Sequence, residues 1–120
     1  MVKNKIFFTL VILIFSFGVA YAHPPSDITI SFDPSARTLT AVIAHYVSNP
    51  KTHYIRKVDI AINGKEIIEH LISRQDNNAG QTVVYLIPDV NENDSLSVEA
   101  YCSISGKLQK EIKVSGLPKS

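Results

Sequence analysis

The sequence predicts an all-β fold, a seven-stranded immunoglobulin-like β-sandwich. Apolar residues recur at every second position within short segments, which is the period of a half-buried strand. Turn-forming residues separate these segments at regular intervals, and no segment shows a convincing helical period. The chain has 120 residues, enough for one domain. Seven short strands with such spacing are typical of a β-sandwich.

The N-terminal segment, residues 1–22, is predicted to be a signal peptide. Two lysines precede an apolar run that is shorter than a membrane span, and the residues at 20–22, Ala-Tyr-Ala, fit the small-residue pattern of a cleavage site. Cleavage there leaves residues 23–120 as an exported domain, periplasmic or extracellular. The alternative is an uncleaved N-terminal anchor.

The first three predicted strands cover residues 27–32, 37–45 and 53–62. The first alternates Ile and Phe with Thr and Ser, and Asp-Pro-Ser-Ala forms the turn after it. The second is rich in β-branched residues and places His45 on the same inward face as Leu39 and Ile43. A loop then leads to His53, the predicted start of the third strand. This strand ends at Asn63-Gly64, a strong signal for a two-residue hairpin.

The other four predicted strands cover residues 65–73, 82–87, 95–102 and 107–114. The return of the chain from the Asn-Gly turn supports the fourth strand, and Pro88 ends the fifth. The sixth strand alternates cleanly, so that Val98, Ala100 and Cys102 share an inward face. His70 lies inside the fourth strand and is assigned no chemical role.

Charge and hydropathy exclude two classes of partner. Removal of the signal takes away two of the 12 basic residues and none of the 11 acidic ones, so the domain is nearly neutral. Without a basic stripe, we expect no nucleic-acid partner. Without a second apolar run of spanning length, we expect no membrane association after cleavage. The sequence does not indicate an oligomeric state.

A single cysteine is unusual in a chain with an export signal, because exported proteins commonly form disulfides. Cys102 is the only cysteine here, so it cannot form an internal disulfide. It is an intermolecular bridge, a buried inert thiol, a reactive thiol or a metal ligand.

Three of the four histidines lie at predicted boundaries, namely His23, His45 and His53. Strand ends joined by one loop lie at the same end of a sandwich, which brings His45 and His53 together. Cys102 also ends an inward-facing strand. Imidazole and thiolate ligands suit iron, copper or zinc rather than calcium or magnesium. The simpler alternative is a buried apolar cysteine with solvated loop histidines.

Two stretches of the chain, HYVSNPKTHYIRKVDIAINGK at 45–65 and VEAYCSISGKLQKEI at 98–112, carry a family resemblance. His-Tyr-Ile, Asn-Gly-Lys and Ala-Tyr-Cys, with a histidine before them, resemble the ferrous-iron domain of the superoxide reductases, the neelaredoxin and desulfoferrodoxin family. The resemblance spans essentially the whole predicted mature chain. It implies an immunoglobulin-like sandwich around a mononuclear non-haem iron.

The resemblance also implies an activity and a ligand set. The iron would reduce superoxide to peroxide with electrons from an unidentified donor. The implied equatorial ligands are His23, His45 and His53, and the implied axial ligand is Cys102. The chain departs from the family where a fourth histidine ligand becomes Ser105 and where a lysine beside the first histidine becomes Ala22. Tyr46 also replaces a proline that often follows the second histidine.

These departures favour an alternative, a non-catalytic module that binds copper or iron or transfers electrons. Cleavage after Ala22 would give His23 a free α-amine, which could restore the ligand count and would favour copper. A third possibility is a sandwich that binds a partner, with Cys102 buried in its core.

Overall fold

The computed structural model describes residues 23–118, which form seven strands and no helix. The strands are β1 (Asp27–Asp33), β2 (Thr38–Ala44), β3 (Ile55–Ile62), β4 (Lys65–Leu71), β5 (Gly80–Leu86), β6 (Ser95–Cys102) and β7 (Lys107–Lys113). The predicted signal peptide at 1–22 lies outside the described residues. Within them, no helix is long and apolar enough to cross a membrane.

The strands form two antiparallel sheets, as the predicted β-sandwich requires. One sheet has the order β1-β2-β5 and the other β4-β3-β6-β7. In a constant-type immunoglobulin domain the fourth strand lies beside the fifth. Here β4 pairs with β3 through the hairpin at Asn63-Gly64. Both turn residues have positive φ, 50° and 83°, as a type I′ turn needs.

The core lies between the sheets and is built from alternate positions of the strands. Fully buried apolar side chains come from both sheets: Leu39, Ala41, Ile43, Ile55, Val58, Ile60, Leu96, Val98 and Ala100. The inward faces predicted for the second and sixth strands are therefore confirmed. Burial of this apolar surface is the main driving force that holds the two sheets together.

Two strand boundaries differ from the prediction near the histidines. β2 ends at Ala44, so His45 lies one residue beyond it, and β3 begins at Ile55 rather than at His53. A local turn explains the later start of β3. The backbone N–H groups of Thr52 and His53 both donate to the carbonyl oxygen of Asn49, over 3.2 and 3.0 Å. His53 is thus held in a turn before the strand.

The fourth histidine, His70, makes a contact between the two sheets. His70 on β4 and Tyr85 on β5 belong to edge strands of opposite sheets, and His70 Nδ1 lies 2.8 Å from the Tyr85 hydroxyl. The rings meet edge to face at 5.6 Å. Burial raises the pKa of Tyr85, so its hydroxyl keeps its proton. His70 therefore has a structural role, because it joins the edge strands β4 and β5 of the two sheets.

Candidate metal centre

Three imidazole rings converge at one end of the sandwich. The ring centroids of His45 and His53 lie 4.8 Å apart, and those of His23 lie 5.1 and 5.2 Å from them. One ring nitrogen from each histidine lies within 4.8 Å of the others, so this group can hold a metal ion. The predicted proximity of His45 and His53 is confirmed.

The three histidines reach the site from separate parts of the fold. His45 follows β2 in the first sheet, and its backbone N–H donates to the carbonyl oxygen of Ala79 over 3.0 Å. This bond extends the pairing of β2 and β5 past the end of the strands. His53 precedes β3 in the second sheet, whereas His23 comes from the segment before β1. The site therefore lies across the end of both sheets.

Cys102, the last residue of β6, is buried and contacts this group through one histidine. Its Sγ lies 3.2 Å from His53 Nε2, and the backbone N–H of Ile104 donates to the same sulfur over 3.4 Å. Cys102 lies outside the set of three residues whose ligand atoms are all within 4.8 Å of one another. The thiol thus lies beside the histidine cluster and contacts it through His53.

The distance between sulfur and nitrogen can be compared with ligand geometry. With typical metal–nitrogen and metal–sulfur bonds, two ligands at a right angle on one ion are about 3.1 Å apart, and two tetrahedral ligands about 3.6 Å. The 3.2 Å between His53 Nε2 and Cys102 Sγ is close to the right-angle value. The distance equally fits an ordinary contact between an imidazole nitrogen and a thiol, and Cys102 lies outside the set of residues whose ligand atoms are all within 4.8 Å of one another.

His23 is exposed, and backbone contacts hold its ring. Its Nε2 lies 3.0 Å from the carbonyl oxygen of Tyr46 and its Nδ1 lies 3.1 Å from that of Pro24. Pro24 packs on the turn that follows Cys102. A Cβ at Gly106 in that turn would lie 2.9 Å from Pro24 Cβ, and Gly106 has a φ of +85°. Glycine therefore permits the close contact between this turn and the residues after His23.

Gln75 is a site residue that sequence reasoning missed. It lies in the loop between β4 and β5 and is only 2 % exposed. Its Oε1 lies 2.8 Å from His45 Nδ1 and accepts a hydrogen bond from the Ile55 N–H over 3.1 Å. Its Nε2 donates to the carbonyl oxygens of His45 and Asn77 over 2.8 and 2.9 Å. One glutamine among polar loop residues gives no sequence signal of such a role.

The environment of His53 favours the neutral imidazole. Burial, followed by the proximity of His45 and His23, lowers the pKa of His53 below its usual value of 6.5. A neutral ring keeps a lone pair available for a metal ion. His53 is thus ready to act as a ligand at neutral pH.

Ser105 lies exposed in the turn between β6 and β7. It offers a hydroxyl rather than an imidazole. His70 is engaged with Tyr85 instead of the cluster. Among the described residues, the site therefore has three imidazoles and one adjacent thiol.

A second group of possible ligands, not predicted from the sequence, contains only carboxylates. Asp59, Glu66 and Glu69 on β3 and β4 bring one oxygen each within 4.8 Å of one another. Asp59 raises the pKa of Glu66, and Lys57 forms an ion pair with Asp59 at 3.3 Å. The lysine partly neutralises the acids, and the two glutamates are exposed, whereas Asp59 Oδ1 is buried without a hydrogen-bond partner among the described residues.

The described fold and site define a class of protein, a β-sandwich with a three-histidine cluster that can hold a metal ion beside a buried cysteine. Comparisons with family models, with curated proteins and with solved structures found no match to this chain.

Proposed function

We propose that this chain is an exported mononuclear metal-binding redox protein. Its ligands are His23, His45, His53 and Cys102. The observation that carries the proposal is the convergence of three imidazoles within 4.8 Å, with the only thiol of the chain 3.2 Å from one of them. His45 is fully buried with its ring paired to Gln75, whereas burial of Cys102 is ordinary for a free cysteine.

Iron is the expected metal, and the donor set fits it in part. Imidazole and thiolate ligands suit iron, and Cys102 lies close enough to His53 for both side chains to bind one ion. The fourth imidazole of the resembling family has no equivalent, because Ser105 offers a hydroxyl. A bound ferrous ion would supply the electron that, with two protons, converts superoxide to hydrogen peroxide. An external donor would then return the electron.

The residues of the chain would hold the metal ion in place and determine the side from which an oxidant reaches it. His45 and Cys102 are buried, whereas His23 is exposed, so a small oxidant would approach from the side of His23. The backbone contacts of His23 with Tyr46 and Pro24 hold its ring over the other two.

The second candidate is a non-catalytic module that binds copper or iron or transfers electrons. The exposed position of Ser105 favours it, because a hydroxyl is a poor replacement for an imidazole on a metal. Three imidazoles and one thiolate also form a complete four-ligand set for copper. Cleavage before His23 would add its α-amine to that set.

The experiment is metal analysis, with an absorption spectrum, of protein exported by a host that processes signal peptides. We expect one metal ion per chain and a thiolate-to-metal charge-transfer band in the oxidised form. Mass spectrometry should show His23 as the N-terminal residue. Rapid superoxide consumption by the iron form supports the reductase, while bound metal without consumption supports the second candidate.

Matched variants distinguish the loss of a metal ligand from a general effect of replacing a histidine. His45→Gln removes a cluster ligand and should abolish stoichiometric metal binding. His70→Gln changes a histidine that contacts Tyr85 instead, and it should bind metal normally. A metal-free wild-type protein whose stability does not respond to added iron or copper would refute both candidates.

A further inference from the structure

We infer that Gln75 is a positioning residue of the candidate metal centre: its amide holds His45 in the Nδ1–H tautomer and leaves Nε2 as the ligand atom. The role of Nε2 as a ligand rests on the proposed function. The tautomer itself is a property of the metal-free fold and can be measured without any metal.

The orientation of the Gln75 amide follows from its backbone partners. The Ile55 N–H can only donate, so the atom 3.1 Å away must be the amide oxygen. The carbonyl oxygens of His45 and Asn77 can only accept, so the atom 2.8 and 2.9 Å from them must be the amide nitrogen. A flipped amide would turn all three contacts from attractive to repulsive.

The amide orientation then determines where His45 carries its proton. The Gln75 oxygen, which lies 2.8 Å from His45 Nδ1, has no hydrogen to give. Nδ1 must therefore donate, and the lone pair of the neutral ring lies on Nε2. This nitrogen is the one that faces His23, whose carbonyl oxygen lies 3.3 Å away.

The carbonyl oxygen of His23 lies beside the Nε2 lone pair that the neutral Nδ1–H tautomer leaves free. In the Nδ1–H tautomer both atoms present lone pairs to each other across 3.3 Å, which is unfavourable. A metal ion bound at Nε2 would turn this repulsion into attraction. In the neutral ring this tautomer therefore carries an electrostatic cost, which a metal ion or a proton at Nε2 would remove.

Burial prevents the ring and the amide from rearranging. His45 is fully buried and Gln75 is 2 % exposed, so neither side chain can exchange its partners for water. The backbone N–H of Gln75 also donates to the carbonyl oxygen of Pro50 over 3.0 Å. Gln75 is therefore anchored to the loop that joins His45 to His53, and it links both residues to the β4–β5 loop.

The first test is the tautomer of His45 in the metal-free protein. A long-range proton–nitrogen NMR spectrum of histidine-labelled protein distinguishes Nδ1–H from Nε2–H rings. We expect His45 to be in the Nδ1–H form in the wild type. Gln75→Leu should populate the Nε2–H form, because the His23 carbonyl oxygen then becomes the only nearby acceptor for that ring.

The second test is the affinity for Co²⁺, used as a spectroscopic probe. Loss of a partner that orients a ligand typically weakens metal binding by about 10- to 100-fold, and we expect this for Gln75→Leu. Gln75→Glu keeps an acceptor for His45 Nδ1 and should recover part of the affinity. The matched control is Gln81→Leu, since Gln81 is also buried but bonds to Asp76 and Thr82 rather than to a histidine.

An Nε2–H ring at His45 in the wild type would overturn the inference, as would unchanged affinity and tautomer in Gln75→Leu. Should Gln75→Leu not fold, the wild-type tautomer and the affinity of Gln75→Glu still decide the question. An Nδ1–H ring in a wild-type protein that binds no metal would support the tautomer assignment and overturn the proposed function instead.

Discussion

His53 Nε2 lies 3.2 Å from Cys102 Sγ, at the place where the start of β3 pairs with the end of β6. The pairing of Ile55 with Cys102 fixes the thiol at this end of the sheet, and the turn at 49–53 brings the imidazole over it. The two side chains come from residues 49 positions apart in sequence. Their contact joins the lone cysteine to the three-histidine cluster through His53.

Replacement of the thiol should remove the charge-transfer band of the metal form. Cys102→Ser keeps the size of the side chain but supplies a hydroxyl, which is a much weaker ligand for iron or copper. We expect loss of the band and weaker metal binding, measured by absorption and metal titration. The neighbouring Ser103→Ala serves as the control and should retain the band. A band that persists in Cys102→Ser would show that the thiol is not a ligand.

A histidine at position 105 should strengthen the superoxide reduction that we propose for the iron form. Ser105→His restores the imidazole that the resembling family has three residues after the cysteine. If the missing ligand limits turnover, superoxide consumption by the iron form should rise, as stopped-flow kinetics would show. Ile104→His, which places an imidazole one residue earlier in the same exposed turn, is the control. Equal rates in both variants and the wild type would mean that Ser105 does not limit the reaction.

The stability of the metal-free protein should fall when the pH drops below 6.5. The pKa of His53 is lowered in the folded protein, chiefly by burial, so the unfolded chain binds a proton more readily. The contribution of this group is present above 6.5 and is lost as the pH falls through the lowered pKa. Urea unfolding in chelator between about pH 5 and 8 would measure it. His53→Gln should show a shallower decline, and an identical decline would contradict this assignment.

Substitution of Gly106 should damage the site as well as the backbone. Gly106→Ala places a side chain in the positive-φ region and 2.9 Å from Pro24 Cβ. Gly64 has nearly the same φ, +83°, but nothing within 4 Å of its Cβ position. We expect both alanine variants to lose roughly 1 kcal/mol of stability from backbone strain. Only Gly106→Ala should also bind metal more weakly, and calorimetric titration of the two variants tests this difference.

The sequence predicted the faces of the strands well because the signal is local. The alternation around His45 and Cys102 continues that of Ile43 and Ala100, which are buried with them. The hairpin at Asn63-Gly64 was also predictable, since few residues tolerate positive φ at both turn positions. Local patterns of this kind need no knowledge of the rest of the chain.

Other features depend on contacts between distant segments and left no local pattern. The role of Gln75 arises only when the β4–β5 loop packs beside His45 and Ile55. The start of β3 differs from the prediction because Asn49 accepts a hydrogen bond from His53 and closes a turn there. The contact of His70 with Tyr85 likewise joins edge strands of opposite sheets.

The convergence of His23, His45 and His53 from separate parts of the fold has a consequence for metal selection. An extended chain brings none of these rings together, so the ligand cluster comes into being only as the sandwich closes. In the proposed metal-binding protein, the ion that is captured would then depend on the metals that are free at the place and time of folding. A protein that folds after transport across a membrane would sample the outer metal pool, whatever the composition of the cytoplasm in which it was made.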